Sequence, residues 1–260
     1  MKVDIIITLW NQLQYTQNCI QSILVNTSVP FHLILIDNAS TDNTPQFLEF
    51  LHRHGGQTTV IFNKENLGWS KGLNQGIKAS KAEYLCFLNN DTILTKHWLN
   101  SMLSAFYTFK DVGAVVPVSD KTSGRQNILY NNGKDTWEEA IYFTGLCILM
   151  PRDVIDEIGL FDERFGLGGQ ADLDYAIRIR KAGYKIIIAR NVFIKHFGRI
   201  SIRHLPEYKT GEFQKENFQK LTKLREKWGD SEIDLLWNWI DKKYDPEEFK
   251  KEAERLGIDR

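Results

Sequence analysis

Apolar and polar positions alternate in blocks along the first 120 residues, and the blocks have two distinct lengths. Val3 to Leu9 is a continuous apolar run of strand length. After it, Tyr15, Cys19, Ile20, Ile23 and Leu24 recur at the three- and four-residue spacing that puts them on one face of a helix. Phe31 to Ile36 is a second strand, and Thr44-Pro45 opens a helix with Thr as cap and Pro in the first turn. Thr59 to Phe62, Tyr84 to Leu88 and Gly113 to Pro117 are further strands, with helices expected over Trp69 to Lys81 and Trp98 to Phe109. Strands this uniformly apolar are buried on both faces. Alternating them with helices predicts a mostly parallel, Rossmann-like sheet covered on both sides.

The second half reads differently. Residues 121 to 137 are polar and rich in Gly and Asn, which predicts a mobile loop. Tyr142 to Met150 is apolar, Pro151 to Ile158 is a short helix, and a glycine-rich loop then enters a helix bearing Ile177 and Ile179. Ile186 to Ala189 and Val192 to Ile194 are short strands. From Leu205 the chain is rich in Lys and Glu, with Phe213, Phe218, Leu221, Leu224 and Trp228 at helical spacing, an amphipathic tail. The boundaries expected from this pattern are an α/β unit over 1–204, made of a first half over 1–120 and a second over 121–204, and a helical extension over 205–260.

Open α/β sheets bind ligands beyond the carboxyl ends of their strands. Those ends here are Thr8-Leu9-Trp10-Asn11, Asp37-Asn38, Asn63 to Gly68, and Asn89-Asn90-Asp91. Any one of them is an ordinary turn, since Asn and Asp bond their own backbone. Four polar ends around one crevice describe a site.

Charge and cysteines narrow its ligands. The 33 basic and 33 acidic residues cancel, so no global field draws in nucleic acid or anionic lipid, and an anionic ligand needs a local device. No stretch reaches the length of a membrane span, and no basic region followed by an apolar core marks a secretion signal. The three cysteines (Cys19, Cys86, Cys147) are scattered in apolar or helical runs, which predicts reduced core thiols and a cytoplasmic setting.

The segments DIIITLWN, ILIDNASTDNT, NLGWSKGLNQG, FLNNDT, GLCILMPRDVIDEIGLFDERF, DLDYAIRIRKAGYKI and IKHFGRIS follow one another in order over roughly residues 1 to 202. Together they resemble glycosyltransferase family 2, the nucleotide-sugar-dependent enzymes with a GT-A fold. The resemblance implies an inverting transfer from a UDP- or dTDP-sugar to a glycan, lipid-linked or other hydroxyl acceptor, with a divalent metal, Mn2+ or Mg2+. It places Asp91 and His196 on the metal, with Asn89 and Asn90 on the ribose or donor sugar. Asp37 takes the imide N–H of a uracil or thymine base, and Thr8, Leu9, Trp10 and Asn11 contact the base through main-chain groups. Asn66, Gly68 and Lys71 close around base and ribose.

The resemblance also implies a carboxylate base for the acceptor hydroxyl, from an acidic pair ahead of the helix containing DYAIRIRKAGY. That pair falls on Ala171-Asp172, so Asp172 is the expected base, Asp174 the fallback, and the Ala a departure from the family pattern. The departure keeps open a nucleotide-sugar or glycan-binding module of weakened catalysis. Dinucleotide oxidoreductases and nucleotidyltransferases fit poorly, because Thr-Leu-Trp-Asn, not a glycine-rich phosphate turn, follows the first strand. The tail is expected to pack beside the acceptor cleft. Its alternatives are a homodimer seam or a peripheral membrane contact through the Trp-rich stretch and Lys242 and Lys243.

Overall fold

The structure, a computed structural model, describes residues 2–122, 124–130, 136–166, 169–198, 200–204 and 212–240, with the backbone path alone at 201–202, 212–218 and 237–240. Arg199, the stretch 205–211, Lys242 and Lys243 lie outside the described residues, as do the side chains of Phe213, Phe218, Trp237, Trp239 and Ile240.

The strands are β1 (Val3–Leu9), β2 (Phe31–Asp37), β3 (Thr58–Phe62), β4 (Tyr84–Leu88), β5 (Thr92–Leu94), β6 (Val112–Val118), β7 (Trp137–Ala140), β8 (Cys147–Pro151) and β9 (Lys185–His196). The helices are α1 (Leu13–Asn26), α2 (Thr44–His54), α3 (Gly68–Ala79), α4 (Trp98–Thr108), α5 (Arg152–Ile158), α6 (Ala171–Lys181), α7 (Ile200–Arg203), α8 (Glu212–Trp228) and α9 (Asp230–Ile240). The sheet runs β3-β2-β1-β4-β8-β6-β9-β5, with β7 paired to β9. Pairings among β1 to β4 and between β6 and β9 are parallel; β8, β5 and β7 pair antiparallel. This is the helix-covered α/β architecture the sequence pattern led to expect, with a more mixed sheet.

Successive residues of a strand face opposite sides, and β1 shows it. Ile5 and Ile7 join the core under α1, α2 and α4, with Ile20, Leu48 and Leu99. Ile6 joins the opposite core under α3, α5 and α6, with Leu73, Ile155 and Tyr175. Both faces are therefore dry, which is why the strands read as unbroken apolar runs.

Two glycines let α3 lie close on this sheet. A Cβ at Gly72 would come within 2.5 Å of Thr8 Cγ2, and one at Gly76 within 2.3 Å of Ile6 Cγ2. Asn74 on the same helix bonds both backbone groups of Phe161, donating to its O at 2.9 Å and accepting from its N at 3.0 Å.

Several expectations need correcting. Gly113 to Pro117 lies within β6, but β8 inserts between it and β4 and turns the sheet antiparallel there. The two strands expected at 186–194 are one, β9, continuous through Arg190, whose guanidinium is buried against Glu138 of β7. Of the apolar stretch Tyr142 to Met150, the strand begins only at Cys147. Within 121–137, Gly124–Gln126 and Ile128–Tyr130 form 3-10 turns.

The tail packs on α6. Leu224, Ile233 and Leu236, each at most 1% exposed, join Tyr142, Phe165, Leu173 and Ile177 in a separate apolar cluster. Polar contacts pin the same seam: Lys227 Nζ lies 2.6 Å from Asp174, and Trp228 Nε1 donates to Asp174 at 2.8 Å. Among the described residues no helix is long and apolar enough to cross a membrane.

Candidate active site

From β1 the chain adds strands on one side (β2, then β3) before returning to place β4 on the other. Beyond the carboxyl ends of β1 and β4 the two connections diverge and leave a crevice. A cleft of about 590 Å3 occupies it. Thr8, Leu9 and Trp10 line it from β1, Asn89 to Asp91 from β4, and Asn66 and Gly68 from the entry to α3. Thr144 to Leu146, Asp172 and His196 line its other wall.

Asp91 and His196, both 6% exposed, meet because β5 pairs antiparallel with the end of β9, so the turn after β4 faces that strand. His196 Nδ1 lies 2.9 Å from the carbonyl O of Lys121. A carbonyl only accepts, so Nδ1 donates, and in the neutral ring Nε2 carries a lone pair. That lone pair faces Asp91 Oδ1 at 3.2 Å, and Nε2 has no aligned hydrogen-bond partner. Two facing lone pairs in a buried site require a proton or a cation between them. Burial works to lower the His196 pKa, but the Asp91 carboxylate outweighs it and the net direction is up. The pair therefore attracts positive charge. An imidazole whose other nitrogen is fixed by a carbonyl, beside a carboxylate, is a donor set that suits Mn2+ or Mg2+ when phosphate oxygens or water fill the remaining positions. Among the described residues no cluster of three His, Cys, Asp or Glu side chains surrounds a common point.

On the opposite wall Asp172 sits in the first turn of α6. Its Oδ2 accepts from Gly145 N at 3.1 Å and its Oδ1 from Leu173 N at 3.0 Å. Burial pushes its pKa up despite these donors, as expected for a carboxylate with little water. Asp174, two residues on, points away from the cleft. It is wholly buried between Arg178 Nε at 3.0 Å and Lys227 Nζ at 2.6 Å. Ala171 is 2% exposed and belongs to the apolar cluster under the tail.

The other expected site residues divide. Asn89 lines the cleft with its Oδ1 taken by Trp69 Nε1 at 3.2 Å, and Asn90 donates to Thr16 Oγ1 at 3.0 Å. Asn66 accepts from Gly68 N at 3.0 Å, shaping the entry to α3, where Gly68 has φ 82°. Asp37, Asn11 and Lys71 do not line the cleft. Asp37 is buried beneath the turn after β2 and accepts from Ser40 N at 3.3 Å; burial pushes its pKa up. Asn11, in the left-handed region at φ 54°, accepts from Thr41 N at 2.7 Å and ties that turn to β1. Lys71 is exposed on α3.

The cleft also has walls the sequence reading passed over. Trp69 reads as one more helix residue and Gly145 as part of an apolar run, yet both line it. The signal for Trp69 was there, in an aromatic residue set between Gly68 and the polar Ser70-Lys71 at a strand-to-helix junction.

The family model described as glycosyl transferase family 2 matches residues 4–159. An uncharacterised protein of Mycobacterium tuberculosis is 30% identical over 159 residues, covering 55% of this chain and 59% of its own length. The chain thus spans less than two thirds of that relative. Among solved structures, GalNAc-T7 with UDP, GalNAc and Mn2+ superposes with a TM-score of 0.65 at 14% identity, covering 75% of this chain and 44% of its own. The Pyrobaculum calidifontis mannosyltransferase PcManGT with GDP-Man and Mn2+ superposes with a TM-score of 0.61 at 20% identity, covering 75% and 56%. At such identities the likeness is one of fold. Asp172 and His196 lie beyond the span of the family match.

Proposed function

Because the chain belongs to glycosyl transferase family 2, we propose that it is an inverting transferase that moves a sugar from a UDP- or dTDP-sugar to a hydroxyl of a glycan or lipid-linked acceptor, using a divalent cation. The observation that carries this reading is the pair His196 Nε2 and Asp91 Oδ1, 3.2 Å apart with no proton to share in the neutral ring. Solved structures of this fold with nucleotides and Mn2+ support it.

Asp91 and His196 would hold the cation, and the site's own carbonyl contact at Lys121 keeps Nε2 pointed at it. A cation held there would supply positive charge to the diphosphate leaving group. Asp172 takes the acceptor O–H proton as the new C–O bond forms on the opposite face, which inverts that carbon. The N–H groups of Gly145 and Leu173 fix the carboxylate's orientation before the acceptor arrives. Burial raises its pKa, which makes the ionised carboxylate a stronger base. Ala171 contributes packing under the tail, so the acid that the family pattern places there is replaced by a core contact.

Calorimetric titration of UDP with and without Mn2+ tests the reading. The wild-type protein should bind UDP more tightly with the metal, and Asp91→Ala and His196→Ala should each abolish the metal's effect. Metal-dependent affinity unchanged in Asp91→Ala would refute the cation site.

A further inference from the structure

Trp69 is held from several sides, and none of its contacts needs a ligand. Its Nε1 donates to Asn89 Oδ1 at 3.2 Å. Its ring meets Phe161 edge-on, with centroids 5.1 Å apart and planes at 71°. Phe161 in turn stacks on Tyr175 at 3.9 Å and 20°, and Asn74 clasps its backbone. On the far edge, a Cβ added at Gly145 would lie 3.0 Å from Trp69 Cη2 and Cζ2, so backbone presses against the indole there. Gly145 is also the residue whose N–H holds Asp172. The indole is thus wedged between the Asn89 turn and the backbone that orients Asp172, and part of it lines the cleft.

What a ligand meets there follows from what is already used. The N–H, the only polar handle of the side chain, is spent on Asn89. The indole therefore offers an electron-rich, apolar surface set beside Asn89, Asp172 and glycine backbone, in a cleft that Leu9, Trp10, Leu146 and Ile200 also line. A ligand group that gains from such a surface has weakly positive C–H bonds on one face and hydroxyls around its rim. A pyranose ring has that form.

We infer that Trp69 is a specificity-determining platform on which the apolar face of a pyranose stacks, registering that sugar between Asn89 and Asp172. The inference rests on the transferase reading and names the contact that reading leaves unassigned. The ring is either the donor's sugar or the acceptor's, and the two are separable by experiment.

The test compares Trp69→Leu with Trp69→Phe. Both lose the N–H to Asn89, so they differ in the aromatic face. Saturation-transfer NMR would use UDP-glucose, UDP-galactose and UDP-N-acetylglucosamine as donor probes, and methyl hexopyranosides with UDP and Mn2+ as acceptor probes. In the wild type, ring C–H protons should receive saturation in one arm. Trp69→Leu should lose that signal while the uridine signals of the folded protein persist, and Trp69→Phe should regain it. The dissociation constant of the responding sugar should rise about tenfold in Trp69→Leu, the effect expected for an aromatic contact of this kind. Ring saturation equal in Trp69→Leu and wild type overturns the inference, as does its absence from both arms in a wild type that binds UDP. A wild type that binds neither UDP nor dTDP overturns the transferase reading and this one with it.

Discussion

Two aspartates two residues apart in α6 should fail in opposite ways. Asp174→Asn keeps the size of the side chain and removes its charge. In the native protein that charge is fully buried and faces Arg178 at 3.0 Å, Lys227 at 2.6 Å and the Trp228 N–H at 2.8 Å. An amide still accepts from Trp228 but balances neither cation. Removing one partner of a buried pair costs about 3–5 kcal/mol. The lower end applies, because Lys227 keeps Asp162 at 2.9 Å and Arg178 keeps the carbonyls of Ile158 and Leu160. About 3 kcal/mol corresponds to a fall of roughly 6–12 °C in melting temperature for a chain of this size. Turnover of the folded fraction and UDP affinity should be nearly unchanged. Asp172→Asn should do the reverse. Burial already disfavours that carboxylate's charge, so the neutral amide should leave the melting temperature level or slightly higher. Turnover should fall by about 10² or more, the scale of a lost general base. Thermal melts, UDP calorimetry and transfer rates on the two proteins decide it. A collapse of turnover in Asp174→Asn at unchanged stability would refute the assignment of roles.

Three further outcomes follow from the same contacts. Because burial raises the Asp172 pKa, the rate should fall on acidification at a pH above the ordinary carboxylate range, and pH–rate profiles of any residual Asp172→Asn activity should lack that limb. The same shift means the folded state holds this proton more tightly than the unfolded chain. Its contribution to stability is therefore present at low pH and lost as pH rises through the folded pKa. Competition binding should rank UDP and dTDP above GDP and ADP if Asp37 selects the base; equal affinity for GDP would overturn that role. Truncation after Arg203 removes Leu224, Ile233 and Leu236 from their cluster. At about 1.5–3 kcal/mol each this approaches the whole stability of a typical domain, so the product should melt far lower or fail to fold. A truncated protein with wild-type melting temperature and transfer rate would show that the tail contributes neither.

The first four strands were legible because each is buried on both faces, and an apolar run such as Ile5-Ile6-Ile7 has few other fates. Strand order past β4 was not. Nothing local in Cys147 to Pro151 tells it to run antiparallel between β4 and β6. β9 looked like two strands because Arg190 reads as a break. Its charge is neutralised by Glu138, a partner far away in sequence. In the site, residue types at strand ends pointed to the cleft, but their exposure did not follow from type. Asp37 went under its own turn, and Lys71 went to solvent. Asp172 and Asp174 look alike in sequence, and the tail that claims Asp174 lies about fifty residues on.

The twelve residues of β9 also tie the site to the completion of the sheet. Its amino-terminal half pairs with β6 and β7, and its end pairs with β5, which brings His196 to Asp91. These pairings join segments distant in sequence, and such contacts pay their loop-closure entropy before they return anything, which makes them slow. On the ribosome, at about 5–20 residues per second, the cleft-lining turns after β1 and β4 emerge several seconds before β9 can close the sheet. A nascent chain therefore displays the Asn89-Asn90-Asp91 turn without its histidine. The Asp91–His196 pair is complete only when the longest strand described is in place, so the proposed metal-dependent nucleotide binding would double as a readout of finished folding.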